Sequence, residues 1–320
     1  MGQYVVRRVI QIVPLVLGIT IITFALANLV PGSPISDLEF NPQVRPEDRE
    51  RIAKALGLDQ PLHVRYVQWL SHVARGDLGL SLITYQPVMK TIMEKLPNTL
   101  LLTVTALILS LIVAIPVGVY GAVRRNSAFD QVTTVGAVAG FAMPTFWLGL
   151  MVILILVRMK GAGLPTLPTG GVCELGNCTL LSRVQHLIAP AFVLAFVQTA
   201  TWTRYIRSQM IEVLRQDYMR TAEAKGLREV VIIFRHGLRN AILPLVTLLA
   251  LDLPTLFSGS VIVEQIFTWN GLGRLILDSV NKRDYTMVMG VTLFVSVLTV
   301  VANLLADIVY GVLDPRIRYD

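Results

Sequence analysis

The sequence predicts an all-α membrane protein of six transmembrane helices with both termini in the cytoplasm. Three observations carry this reading: the balance of apolar to charged residues, six apolar runs of spanning length, and the placing of Lys and Arg between them. Of the 320 residues, 54% are hydrophobic and 15% charged, whereas a soluble chain is about a quarter charged. Lipid is the solvent that suits so much apolar surface. A hydrocarbon core about 30 Å thick takes roughly 20 helical residues, and the runs have that length.

In chain order the runs are Val9 to Val30, Asn98 to Val123, Gln131 to Val157, Val184 to Thr203, Asn240 to Val263 and Tyr285 to Ala306. The fourth is the shortest and most polar, and the fifth is interrupted only by Asp252. Helices are expected because lipid offers no partner to an unpaired backbone group. Barrel strands would be about ten residues long and alternate in polarity, which these runs do not. The first run follows Arg7 and Arg8 and contains Ala25-Leu26-Ala27, a pattern shared with cleaved signal peptides. Its 22 residues exceed the roughly 7–15 of a signal core, so it is read as a span.

With the N-terminus inside, 14 basic residues fall inside and 14 outside, eight of the latter in segment 31–97. Charge in so long a segment says little about orientation. Without it the inside holds 14 against 6, which favours both ends in the cytoplasm. The net charge of +7 then reads as topology, and no nucleic-acid partner is implied.

The chain divides into residues 1–30 (tail and first span), an extracytoplasmic segment 31–97, and a core of five spans over 98–320. In segment 31–97, Pro46-Glu47-Asp48 and Gly57 mark the start and stop of one helix, and Asp59-Gln60-Pro61 and Gly76 those of a second. Leu62, Tyr66, Trp69, Leu70 and Val73 give the second helix an apolar face. That face covers either the protein's own spans or a partner. Cys173 and Cys178 fall outside, between spans three and four. A small disulfide loop and two separate thiols both remain open. A metal site is not expected, since no His or second Cys pair lies near.

Several chemistries are missing. His63, His72, His186 and His236 all sit at or beyond span ends, and no HExxH occurs. No Gly-Lys pair exists, so no phosphate-cradling loop of the GxxxxGK type does either. The chain is therefore read as a non-enzyme that binds no cofactor itself. Ion-coupled secondary transport would call for deep acidic residues and inverted repeats. The deep candidates are Asp252, for the pathway or for holding helices together, and Asp307 near a span end, and no repeat is evident.

The stretch 204–240 between spans four and five is too long and too well patterned for a simple connector. Ala222, Ala224 and Gly226 form a small-residue patch that lets another helix approach closely. Asp217, Arg220, Glu223 and Lys225 surround it with charge. A docking element and a lipid-held amphipathic helix are the two readings.

Here the sequence resembles a known family. Tyr218-Met219-Arg220-Thr221-Ala222-Glu223-Ala224-Lys225-Gly226 looks like the peptide-permease form of the EAA loop of ABC importers, and Arg235 to Pro244 continues it. Leu29 to Pro34, Leu56 to Leu62, Gly76 to Ser81, Glu264 to Arg274, Arg283-Asp284-Tyr285 and Asp314 to Arg318 also match. The general importer loop begins Glu-Ala-Ala where Arg220, Thr221 and Ala222 stand here, and its Gly lies nearer the Leu-Pro pair. Both departures are usual in the peptide branch. Asn270 stands where relatives commonly have Pro.

The resemblance implies the type I ABC importer fold and the first membrane subunit of a dipeptide or oligopeptide importer in the cytoplasmic membrane of a prokaryote. It implies a second homologous permease subunit, two ATP-binding cassette subunits that carry ATP and Mg, and an extracytoplasmic substrate-binding protein. Asp217, Tyr218, Arg220, Thr221, Ala222, Glu223, Ala224, Lys225 and Gly226 would contact an ATPase. Relatives carry peptides, glutathione, nickel chelates or sugars. Short peptides are the expected cargo, because most of the family carries them.

Overall fold

A computed structural model describes residues 2–29, 60–174, 176 and 178–313. The described residues form helices joined by turns, and helix covers the described part of each of the six apolar runs except Met143-Pro144 in the third. They are α1 (Gly2–Leu29), α2 (Leu62–Ala74), α3 (Val88–Val123), α4 (Ala128–Ala142) and α5 (Thr145–Gly161). Then come α6 (Leu180–Leu214), α7 (Asp217–Ala224), α8 (Arg239–Ile266), α9 (Leu272–Asn281) and α10 (Tyr285–Leu313). A π-helical stretch, Ile232–Leu238, leads into α8. α3, α6 and α10 are each long and apolar enough to cross a bilayer. The expected helix at 46–57 and the C-terminal motif at 314–318 lie outside the described residues.

α3 begins at Val88, ten residues before its run, and two other expected spans also differ from their apolar runs. The run from Gln131 to Val157 is two helices, α4 and α5, bent by 99° at Met143-Pro144. Pro144 disfavours a helical residue before it, and both residues are extended, with ψ of 121° and 128°. The fourth run lies in a helix of 35 residues that continues through the charged stretch 204–214. Arg, Gln, Met, Glu and Leu are good helix formers, so leaving the apolar run does not end the helix.

Contacts divide the described chain into two compact units, one from Met1–Leu96 and Leu275–Val301, the other from Pro97–Arg274 and Ala302–Arg318. In the first unit α2 lies on α1. Phe24 packs its ring against Tyr66 at 5.5 Å and Trp69 at 5.6 Å, and the hydroxyls of Thr20 and Tyr66 are 2.9 Å apart. The apolar face of α2 therefore covers the protein's own first span, with Leu62 left exposed. Gly76, at φ +80°, stops α2 as its sequence signal predicts. Two sequence-distant motifs meet here. Asp284 accepts hydrogen bonds from Ser81 Oγ at 2.5 Å and Leu82 N at 3.1 Å, and caps the start of α10 through Met287 N.

The second unit is built around α6. One stretch of α6, Leu187 to Ala195, packs with Leu102 and Ala106 of α3, Leu156 of α5, and Val263, Phe267 and Trp269. A later stretch, Trp202, Ile206 and Met210, packs with Ala114, Val119 and Ala122 of α3 and Ala241 and Leu245 of α8. Gly118 lets α3 approach closely: a Cβ there would stand 2.9 Å from Ile206 Cγ2 and 3.0 Å from Thr203 O.

Candidate functional site

The predicted docking stretch folds as α7, a two-turn helix set against the end of α6. Met219 and Ala222 fall one turn apart, on one face. Both are buried, packing with Ile232, Val213 and Leu214. Gly237 in the π-helical stretch makes room for two methionines: a Cβ there would lie 3.3 Å from Met210 Cε and 3.5 Å from Met219 Cε. The end of α6, α7 and the π-helical stretch thus share one small apolar core.

This burial divides the small-residue patch. Ala222 faces the chain's own core, while Ala224 and Gly226 are exposed. Asp217, Tyr218, Arg220, Thr221, Glu223 and Lys225 are exposed as well. Arg220 Nη1 is 3.7 Å from Asp217 Oδ1, with both side chains largely in solvent, so the pair contributes little to stability. Gly226 has φ +71° and no atom within 4 Å of where its Cβ would be. It ends α7 in a left-handed turn that other residues adopt only at a cost. The arrangement presents a charged, unobstructed surface on a helix anchored from behind.

Besides Asp284, two buried carboxylates gather polar contacts that the sequence does not announce. Asp130, 3% exposed, accepts bonds from Arg207 Nε at 2.5 Å and Nη2 at 2.8 Å, and from Asn126 N at 2.9 Å. Ser127 caps α4 by accepting from Asp130 N. The Ser127-x-x-Asp130 spacing at the head of an apolar run is the legible signal. Nothing local points to Arg207.

The second is Glu264, fully buried at the end of α8. It accepts from Thr99 Oγ1 at 2.8 Å and Arg274 N at 3.0 Å, while Thr99 in turn accepts from Leu272 N. Glycine is required at 271, because a Cβ there would stand 2.5 Å from both Glu264 Oε2 and Thr99 Oγ1. Around this carboxylate, Trp269 Nε1 donates to Asn98 O, Asn98 Nδ2 to Asn270 O, and Arg183 Nη2 to Asn98 Oδ1. An acidic residue closing the apolar run of α8 was the available sign.

Asp252 lies on α8, with its side chain outside the described residues. Cys173 and Cys178 are joined in a disulfide, with Cα atoms 5.2 Å apart. Among the described residues no group of three or more His, Cys, Asp or Glu could hold a metal ion.

Comparisons with known proteins agree along the whole chain. Residues 114–319 match the family described as binding-protein-dependent transport system inner membrane component, and residues 1–103 match the N-terminal family of such membrane components. The chain is 46% identical to the oligopeptide transport system permease protein AppB of Bacillus subtilis, over the full length of both. It is 38% identical to the dipeptide transport system permease protein DppB of Escherichia coli K12, over 100% of this chain and 99% of that one. The glutathione transport system permease protein GsiC of Salmonella choleraesuis is 36% identical over both full lengths. A crystal structure of an amino acid ABC transporter with histidines matches 69% of this chain and 93% of its own, at TM-score 0.50 and 17% identity. That last likeness is one of fold alone.

Proposed function

The chain belongs to the family of binding-protein-dependent transport system inner membrane components, and from that premise we propose that it is the membrane subunit of an ATP-driven importer of short peptides. The observation that carries the peptide reading is full-length similarity to oligopeptide and dipeptide permeases. In this reading six spans cross the cytoplasmic membrane of a prokaryote with both termini inside, α4 and α5 together forming one broken span. Segment 31–97 lies outside and helps receive a substrate-binding protein. A second, homologous permease completes the pathway. Two ATP-binding cassette subunits hold ATP and Mg, and one of them docks on α7 of this chain.

The geometry of α7 supports that docking. Met219 and Ala222 hold the helix to its own chain, leaving Tyr218, Arg220, Thr221, Ala224 and Lys225 to meet a partner. ATP binding acts as a ligand that favours one of two global states, so a contact at α7 shifts their populations. The glutathione permease relative supports a second cargo, a modified tripeptide.

The test is co-purification of this chain with a second permease and two ATPases, then binding-protein-dependent ATP hydrolysis across dipeptides, oligopeptides and glutathione. Hydrolysis stimulated by peptides is expected. A lone homodimer driven by protons would overturn the reading. Gly226→Trp is expected to abolish uptake while the protein still inserts, and unchanged substrate-driven hydrolysis in that variant would remove α7 as the docking element.

A further inference from the structure

We propose that the Asp130–Arg207 ion pair is the positioning tie through which α6 transmits movement of α7 to the broken α4–α5 span. The inference deepens, and rests on, the reading of α7 as the ATPase contact.

The continuity of the parts comes first. Only Arg215 and Gln216 separate α6 from α7. Met210 of α6 and Met219 of α7 both pack at Gly237, and Met210 is wholly buried. A displacement of α7 is therefore shared by this end of α6. Arg207 lies one turn before Met210, on the same continuous helix.

The pair itself comes second. Two parallel hydrogen bonds from one guanidinium to one carboxylate fix orientation as well as distance. Asp130 is nearly inaccessible to solvent, so the bond is poorly screened. The same carboxylate accepts Asn126 N in the turn between α3 and α4, and Ser127 caps the helix that carries it. Arg207 thus grips the start of α4 and the turn before it. Elsewhere α4 meets α6 through Gly140 against Phe196 and Ala200, an apolar contact that sets no direction.

What lies beyond comes third. α4 ends at the Met143-Pro144 break, where the chain turns by 99° into α5. Two extended residues there replace the helical hydrogen bonds, so α4 can change its angle to α5 without unwinding either helix. Moving the start of α4 through Arg207 changes that angle.

The experiment uses the complete transporter in liposomes with its binding protein and measures ATP hydrolysed per peptide imported. Asp130→Asn and Arg207→Gln are each expected to raise that ratio about tenfold while the ATPases stay bound, in the ordinary range of a coupling free energy. The double variant is expected to do no worse than either single one, because one interaction is lost in all three. A ratio within about twofold of wild type in the single variants, or a double variant that multiplies their effects, would overturn the tie. If Asp130→Asn fails to assemble, Arg207→Lys keeps the charge but loses the fork. It should raise the ratio by a smaller factor, and an unchanged ratio overturns the proposal. Failure of the wild-type chain to bind any ATPase would remove the reading of α7, and this proposal with it, before any variant is made.

Discussion

The two ends of α6 are held in different ways. Near Leu180, Arg183, Asn98, Thr99, Glu264 and Trp269 form a connected polar network, Gly271 fits only without a side chain, and a disulfide closes the adjoining loop. Near Leu214, one charge pair and a few apolar side chains bind α6 to α4 and α7, and the remaining face of α7 is open. A polar network satisfied at many points has one good arrangement. A surface held by one directional bond and a small apolar cluster can take up two. The contrast suits a protein whose ends do different work, one keeping its shape and the other answering a partner.

The strongest challenge to this contrast is Glu264→Ala, which leaves Thr99 and Arg274 N without their buried acceptor and opens a cavity. It is expected to cost about 3–5 kcal/mol, seen as a large fall in thermal midpoint in detergent. Met219→Ala should cost less, about 2–3 kcal/mol, with faster hydrogen exchange confined to 217–238. Equal costs, or exchange spreading to 264–274, would erase the difference between the ends. Cys173→Ser opens a loop of few residues, and about 2 kcal/mol is expected from the loop-closure account, with uptake retained. Smallest in stability is Arg220→Ala, expected within about 0.5 kcal/mol of wild type. Its consequence should appear as weaker retention of the ATPases during purification, and full retention would argue against the open face of α7.

Much of this was legible in the sequence, for reasons that separate the local from the distant. The apolar face of α2 follows from spacing alone, and its Gly76 stop from the need for positive φ. Apart from the break at Met143-Pro144, the described part of each apolar run is helical, because almost charge-free segments of that length admit little else in lipid. Pro144 sat in the middle of the third run, but absence of charge masked the break. The extension of α6 was hidden for the opposite reason: charges end an apolar run without ending a helix. Ala222 read as surface because small residues suit both a close partner and a tight core, and only the position of Ile232 decides. Asp130 and Arg207 are 77 residues apart, and Thr99 and Glu264 are 165 apart. No local pattern encodes such pairings.

The length of α6 has a mechanical consequence. At about 1.5 Å per residue, its 35 residues make a rod of about 52 Å, well beyond the roughly 30 Å of a hydrocarbon core. Pro190 deprives it of one backbone bond near the Leu180 end, which leaves the portion from Ala191 to Leu214 as the stiff arm. A tilt of about 5° of this arm, about its Pro190 end, would carry Leu214 by about 3 Å, so a push of atomic size at α7 swings this end while the anchored Leu180 end keeps its packing.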